Sequence, residues 1–309
     1  MNANKERHLH LPVWVYKGML LLAAAVWGLG TVVLKDTVDA LPPLWLIAVR
    51  FVLAGIILGA VCYPRMRDHL DRDTLLAGAF LGVFVGVSYG LNTIGLLYTT
   101  AAKSTVLTSA YCVMVPFVAW AASKIKPSLF NLVAAALCLS GVGFVSLQGS
   151  TEGLFTIGLG ESITLLAAVF FALQIAYMAK LGDGRDAMVL TVVQFLVGGG
   201  LCAVGGLLFE GPLPLEAFSD PAVVRNLAYL IVVASCLALS LQNVGLAHVS
   251  PAPAALFLAS ESLFGVIFSI LFLGEAVSAN VIVGFVLITS SIVISETFPY
   301  LRSRSADNR

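Results

Sequence analysis

Apolar residues along the chain are gathered into ten stretches that short polar connections separate. Each stretch is close to the roughly 20 residues that a helix needs to cross the hydrocarbon core of a bilayer. Because backbone polar groups in lipid have to be satisfied within their own segment, each stretch is predicted to be a transmembrane helix. The predicted spans are Gly18–Leu34, Leu44–Tyr63, Leu75–Leu97, Thr105–Ala122, Leu129–Leu147, Leu159–Met178, Met188–Phe209, Leu227–Leu246, Ala252–Leu273 and Ala279–Ile294.

The composition fits a membrane protein. Hydrophobic residues fill 59% of the 309 positions and charged residues only 11%, whereas a soluble domain carries about 25% charged residues. So few charges exclude a soluble enzyme, a disordered protein and a nucleic-acid-binding protein, and a net charge of zero offers no basic patch. The five cysteines lie in or beside apolar runs without C-x-x-C spacing, so no disulfide framework, metal site or other cofactor is expected.

The distribution of Lys and Arg predicts the orientation in the cytoplasmic (inner) membrane. With both termini in the cytoplasm, the tails at 1–15 and 298–309 and the inner connections hold thirteen basic residues, against three on the other side. The thirteen are Lys5, Arg7, Lys17, Arg65, Arg67, Arg72, Lys124, Lys126, Lys180, Arg185, Arg302, Arg304 and Arg309, and the three are Lys35, Lys103 and Arg225. A signal peptide is the alternative for the first stretch, but its internal counterpart later in the chain favours a span.

The chain repeats itself weakly. A shift of 150 residues places Leu91–Leu96 on Leu241–Leu246, and a shift of 143–144 pairs Arg50 with Gln194. The two predicted halves are 16–148 and 157–297, with five spans each. Because five is odd, the halves are expected to lie inverted in the membrane, an arrangement typical of secondary transporters with a site near the midplane. The alternative is a duplicated structural bundle without a pathway.

Two charged residues lie inside predicted spans. Glu261 is expected near mid-bilayer, where a lone carboxylate costs at least about 2.5 kcal/mol, so it needs a cationic partner, a wet cavity or a proton. Arg50 keeps its charge and has to pair, face water or anchor a helix end. Either residue could be structural, but both are candidates for a solute-binding cavity, and Glu261 is the candidate proton-sensitive group.

Other candidates are weaker individually. Lys35 and Lys103 stand at predicted span ends, where lysines either attract anions or serve as interfacial anchors. Buried amides either line a cavity or hydrogen-bond between helices, and aromatic rings either contact an apolar part of a solute or only pack. The amide candidates are Asn92, Gln174, Gln194, Gln242 and Asn243, and the aromatic candidates are Trp27, Tyr89 and Tyr111.

Glycine recurs at every fourth position of the third predicted span, at Gly78, Gly82, Gly86 and Gly90. Such a stripe lets two helix backbones approach closely and therefore predicts packing. Residues 86–90 also match the G-x-S-x-G pattern of hydrolases, but that motif requires a strand-to-helix turn rather than a helical stripe. No nucleophile–base pair or metal-ligand set is evident, so an intramembrane enzyme is not expected.

In its short motifs the chain resembles the drug/metabolite transporter superfamily, and within it the EamA-type ten-helix permeases. The resemblance covers about residues 16–297 and rests on ordered strings at Ala25–Gly28, Leu41–Pro43, Tyr98–Ala102 and Leu271–Glu275. One departure is that Ser262, not Pro, follows Glu261. The resemblance implies transport of small organic solutes, often amino acids or related metabolites and often export.

These observations predict an all-α secondary transporter of ten helices in two inverted five-helix repeats. The solute is expected to be a small polar or zwitterionic metabolite, held near Arg50, Glu261 and the facing amides. Expected partners are the solute, membrane lipid and a coupling proton or ion, without nucleic acid; the sequence leaves monomer and homodimer open. The alternative function is a membrane receptor or scaffold that binds a small ligand without transporting it.

Overall fold

The computed structural model describes residues 12–123, 127–146, 158–182, 184–249, 257, 258 and 260–307, and the regular structure in these ranges is helical. A 3₁₀ turn covers Leu215–Ser219, and a π-helical segment, Tyr229–Leu237, joins two of the α-helices. The α-helices are α1 (Val13–Thr37), α2 (Pro43–Val61), α3 (Tyr63–His69), α4 (Arg72–Leu97), α5 (Ala101–Thr108), α6 (Tyr111–Ser123), α7 (Leu129–Ser146), α8 (Leu159–Leu181), α9 (Ala187–Phe209), α10 (Pro221–Ala228), α11 (Ala238–His248), α12 (Glu261–Leu273) and α13 (Ala279–Asp307).

Within the described ranges, seven helical segments are long and apolar enough to cross a membrane. Three shorter apolar helices, Leu129–Phe144, Glu261–Leu273 and Ala279–Ile294, occupy the fifth, ninth and tenth predicted spans. The all-helical membrane class therefore agrees with the sequence analysis, while the count of ten spans stays a prediction. One boundary differs clearly. Helix α13 continues to Asp307 through most of the predicted tail at 298–309.

The fourth span is interrupted. The sequence predicted one continuous helix over Thr105–Ala122, but the chain forms α5 and α6 on either side of a turn at residues 109 and 110. The turn keeps short-range backbone bonds, such as the 3.1 Å bond from the Cys112 amide to the Ser109 carbonyl. An interruption of this kind leaves some backbone N–H and C=O groups near the middle of the span without a partner in their own helix.

The ninth span is interrupted at the equivalent position. Helix α12 begins at Glu261 directly after a turn at Ser260, while 250–256 and 259 lie outside the described residues. The 150-residue shift found in the sequence places Ala110 on Ser260 and Tyr111 on Glu261. Two short helices, α6 and α12, thus start at matching places in the two halves, and in transporters discontinuous helices of this kind form solute sites.

The packing of the helices is symmetric under exchange of the two halves. The pairs α2–α9, α5–α12 and α7–α13 each join a span to its own repeat partner. Most other contacts between helices have an equivalent when the two halves are exchanged. The contact of α4 with α9 is equivalent to that of α2 with the π-helical segment, and the contact of α4 with α8 is equivalent to that of α1 with α11. Likewise, α1 contacts α12 as α8 contacts α5 and α6. The halves therefore interlock, and the buried core of the described residues runs between them as three clusters.

The glycine stripe of α4 faces α9. A methyl group added at Gly86 would lie 2.8 Å from the Gly198 carbonyl oxygen, and one added at Gly78 would lie 2.7 Å from the Val193 side chain. Only glycine allows the two backbones to approach this closely. The stripe thus sets the distance between a helix of the first half and a helix of the second.

Candidate functional site

Arg50 lies at the centre of the interface between the halves. Its side chain is buried, with the residue 2% exposed, and its Nε donates a 2.8 Å hydrogen bond to the Ser235 hydroxyl. Among the described residues this is its one side-chain hydrogen bond, and it forms no salt bridge there. A buried guanidinium has five hydrogen-bond donors and a positive charge, and the groups around it have to compensate for the water that it loses.

Aromatic rings surround the guanidinium. Its Cζ lies 5.2 Å from the Phe51 ring centroid and 5.3 Å from the Tyr89 ring centroid, within cation–π range. Tyr89 contacts Phe171 of α8 edge to face at 4.9 Å, and Phe171 lies 6.1 Å from Tyr111, measured between centroids. A continuous row of rings therefore leads from Arg50 to the interruption of the fourth span.

Glu261 lies near this row. It is the first residue of α12, where the helix dipole favours a negative charge. Its carboxylate interacts electrostatically with Arg50 but does not approach it to salt-bridge distance. Within the described part of the chain it accepts no hydrogen bond. The row of rings joins Tyr89 and Tyr111 to Arg50, and Glu261 stands at the position of the second half that corresponds to Tyr111. We call Arg50, Glu261 and the two tyrosines the central cluster.

The π-helical segment shapes the wall of the central cluster. The Ser235 hydroxyl that binds Arg50 itself donates to the Leu230 carbonyl, five residues earlier, at 2.9 Å. Trp27 of α1 donates its indole N–H to the Ala234 carbonyl at 2.8 Å, and the Tyr229 hydroxyl donates to α1 at the Val26 carbonyl. Irregular helices are common at functional sites because they expose backbone groups. The indole nitrogen of Trp27 therefore binds α1 to the π-helical segment.

The hydrogen-bonded candidate amides occupy two separate places in the bundle. The Asn92 amide nitrogen donates to the Thr108 hydroxyl at the end of α5 (2.8 Å), which ties α4 to the interruption of the fourth span. The Gln174 amide donates to the Gln194 side-chain oxygen at 3.1 Å, joining α8 to α9. Gln242 is buried in α11, and the Asn243 side chain lies outside the described side chains. Each hydrogen-bonded amide thus links two helices.

Neither candidate lysine belongs to the central cluster. Lys35 donates to the Leu96 carbonyl at the end of α4 (2.6 Å). Lys103 forms a buried salt bridge of 3.1 Å with Glu161 at the start of α8, and the Thr99 hydroxyl also reaches that carboxylate. Both lysines lie where several helices end. Their contacts are those of residues that hold helix ends together.

Two further carboxylates, which sequence reasoning did not select, bind helix ends across the two halves. Glu210, just after α9, accepts from the backbone amides of Leu44 and Trp45 at 2.9 and 3.1 Å. Glu275, just after α12, accepts from those of Ala101 and Ala102 at 2.8 and 2.9 Å. We call the side of the bundle where α2 and α5 begin and α9 and α12 end the capped face. Helix-end glutamates beside glycine, as in Gly274-Glu275, were the signal available in the sequence.

A cleft on the opposite face lies between the start of α4 and the end of α8. Its volume is about 410 Å³, and Asp73, Phe80, Tyr177, Lys180 and Arg185 are among its lining residues. Phe80 is 45% exposed on the outside of the bundle. None of the central-cluster residues lines this cleft, so it is separate from the site around Arg50.

Comparison with known proteins agrees with this architecture. The model of the EamA-like transporter family matches residues 16–147 and again residues 158–297. The chain belongs to the EamA-like transporter family. It is accordingly a multi-pass membrane protein of the drug/metabolite transporter superfamily.

Individual relatives support the same assignment. An uncharacterized transporter of Archaeoglobus fulgidus is 26% identical over 282 residues, which cover 89% of this chain and 83% of the relative. The uncharacterized transporter YvbV of Bacillus subtilis is 26% identical over 284 residues, covering 90% and 91%. A crystal structure with 15% identity superposes with a TM-score of 0.63 over 94% of this chain and 98% of the other. That last likeness concerns the fold alone.

Proposed function

We propose that this EamA-like transporter exports a small zwitterionic solute, such as an amino acid or a related metabolite, through the cytoplasmic membrane by alternating access. The central cluster is the proposed solute site. The observation that carries the proposal is that a buried Arg50, held by Ser235 of the other half, and Glu261, at the start of α12, form no salt bridge with each other. Both lie between the halves, beside the interruptions of the fourth and ninth spans, where alternating exposure is expected.

The chemistry of the central cluster suits a zwitterion. The terminal nitrogens of a guanidinium bind a carboxylate with two parallel hydrogen bonds, and Nε of Arg50 is already held by Ser235. Glu261 provides the opposite charge for an ammonium group. The rings of Tyr89 and Phe171 offer an apolar surface for the remainder of the solute. A solute of this kind would complete the pair of charges that the protein leaves separated.

Orientation and energy source complete the proposal. The excess of Lys and Arg near the helix ends opposite the capped face supports a cytoplasmic position for those ends, so the capped face is proposed to be periplasmic or extracellular. Transport then uses the gradient of the solute or of a coupling ion. Glu261 is the proposed proton-sensitive residue, since a carboxylate in this position can exchange an ammonium for a proton.

The test is solute binding and flux with purified protein. A panel of amino acids, matched amines and matched monocarboxylates is screened by thermal shift, because a ligand that binds the folded state raises its melting temperature. Hits are then followed as flux in proteoliposomes. Arg50→Gln is expected to weaken binding roughly 10- to 150-fold, the worth of a hydrogen bond to a charged group. Arg67→Gln, at an exposed position of α3, is the matched control.

The variants separate the roles. Arg50→Gln is expected to affect amino acids and monocarboxylates but not amines, and Glu261→Gln to remove the pH dependence of flux. Unchanged rate and pH dependence in Glu261→Gln would refute its proposed role, and unchanged flux with normal protein levels in Arg50→Gln would refute the site. Binding without flux in any orientation would favour the receptor or scaffold instead.

A further inference from the structure

The two carboxylates of the capped face differ from ordinary helix caps because each one comes from the other half of the protein. Glu210 binds the start of α2 from the end of α9, and Glu275 binds the start of α5 from the end of α12. Each uses both of its oxygens on two successive amides. Four charge-assisted hydrogen bonds therefore join the halves at one face, and such bonds are about twice as strong as neutral ones.

Neighbouring glycines place these carboxylates. Gly211 directly follows Glu210 and has φ of +83°, while Gly274 directly precedes Glu275 and has φ of +63°. Glycine adopts this left-handed conformation without the steric cost that other residues incur. The Trp45 indole N–H also donates to the Gly211 carbonyl at 2.9 Å, which holds the turn after α9 against α2. Both turns are thus shaped to present a glutamate to a helix of the opposite half.

On the opposite face, the described residues show a different kind of helix cap. The shifts that relate the halves place Glu275 on Ile125, which lies outside the described residues, and Glu210 on Met66 or Arg67, so the sequence has no carboxylate at these positions. The start of α9, which corresponds to the start of α2, is capped within its own segment, by Asp186 on the amides of Met188 and Val189. Among the described residues, the carboxylate caps that join the two halves therefore lie at the capped face.

We propose that Glu210 and Glu275 form a two-point latch that holds the capped face closed and so sets which side of the membrane the central cluster can reach. This inference rests on the proposed alternating-access function. The latch has to open once per cycle, because the halves cannot separate at this face while both caps are in place. Glu210 and Glu275 are in this sense positioning residues, which act on the solute site through helices α2, α5 and α12.

The latch is tested by the labelling of buried reporter cysteines, which needs no solute. The first reporter is Ser104→Cys. Ser104 lies one turn inside the capped end of α5 and is fully buried, and its hydroxyl has no hydrogen-bond partner among the described residues, so the substitution is mild. Val189→Cys lies fully buried near the opposite face, at the start of α9. Each reporter is placed in the full chain in proteoliposomes, and labelling by a membrane-impermeant maleimide is followed at each peptide by mass spectrometry.

The expected result is opposite changes at the two reporters. Glu275→Gln and Glu210→Gln are each expected to raise the labelling rate of Ser104→Cys roughly tenfold and to lower that of Val189→Cys, with a larger effect in the double variant. Glu275→Asp keeps the charge but shortens its reach, and a smaller rise in the same direction is expected. Glu216→Gln, at an exposed glutamate in the connection after α9, is the control and should change neither rate.

Two results would overturn the latch. One is unchanged labelling of Ser104→Cys in both Gln variants. The other is a rise at both reporters, which indicates general loosening rather than a shift between two states. If the Gln variants do not fold, the Asp variants decide by the same criteria. Since labelling proceeds without solute, a failed latch leaves the Arg50 binding test intact, and a failed binding test leaves the labelling result intact.

Discussion

Replacing Lys103 by Met tests whether this lysine serves the solute or the fold. Its amino group lies 3.1 Å from Glu161, and the two side chains are 11% and 9% exposed. At an effective dielectric constant of 20, two unit charges at this distance attract by about 5 kcal/mol, and the loss of hydration offsets much of that gain. Removing one partner leaves a buried charge unbalanced, which costs about 3–5 kcal/mol.

A double-mutant cycle isolates this interaction. Lys103→Met, Glu161→Gln and the double variant are purified in detergent, and the free energy of unfolding is measured for each by denaturant titration. Each single variant is expected to lose about 3–5 kcal/mol, whereas the double variant should recover most of the loss because it leaves no buried charge alone. The expected coupling is therefore at least about 2 kcal/mol.

Additive losses with a coupling near zero would contradict this reasoning and show that the pair contributes no net stability. The double variant also decides the role of the lysine. If it folds and transports normally, Lys103 is a structural residue that joins α5 to α8. If it folds but fails to bind the solute, Lys103 belongs to the solute pathway, as one of the two sequence hypotheses held.

Two further predictions concern packing and pH. Gly86→Ala is expected to destabilise the protein by about 1–3 kcal/mol because the new methyl group meets the α9 backbone. In the control Gly200→Ala, the new methyl group would meet no neighbouring atom within 4 Å, so this variant should be neutral or more stable by up to about 1 kcal/mol. Equal melting temperatures of the two variants would contradict the close crossing of α4 and α9. Hydrogen bonds from Thr74 to the exposed carboxylate of Asp71 lower its pKa, so this cap contributes stability above its ordinary pKa that is lost as pH falls through the lowered value. The melting-temperature difference between wild type and Asp71→Asn should therefore shrink from about pH 5 to about pH 3, and a constant difference would contradict it.

Hydrophobic patterning was sufficient for the all-helical membrane class of the fold. Ten apolar stretches and a shift of about 150 residues predicted a helical membrane protein with a duplicated unit, and the family match divides the chain at nearly the same place. Patterning could not locate the interruptions within spans. The turn at residues 109 and 110 lies inside an apolar run, where nothing in the local composition marks the end of a helix. Only comparison of the two halves relates it to the turn before Glu261.

The residues of the candidate site differ in how far the sequence alone singles them out. Arg50 and Glu261 could be selected because a charge within a span is costly wherever the helix lies. Lys103 could not be distinguished from a solute-binding residue, since its partner Glu161 is 58 residues away in sequence. Glu210 and Glu275 were missed because a carboxylate at a span end is ordinary until its partner amides are known. A sequence shows which charged residues lie in apolar segments, but their partners in the other half are known only from the fold.

The proposed latch and the proposed solute site share the same short helices. Helix α5 carries the capped amides at its start and Thr108, which binds Asn92, at its end. Helix α12 begins with Glu261 and leads into the Glu275 turn. On α2, Arg50 lies six residues from the capped amide of Leu44, about 9 Å along the axis. A solute that draws Arg50 and Glu261 together therefore moves the helices that the caps hold. Since a ligand shifts an equilibrium only by its difference in affinity for the two states, the solute has to bind the open-latch state more tightly by as much as the caps favour the closed one. Weakening the caps should consequently lower the solute affinity required for transport, which links the two proposals quantitatively.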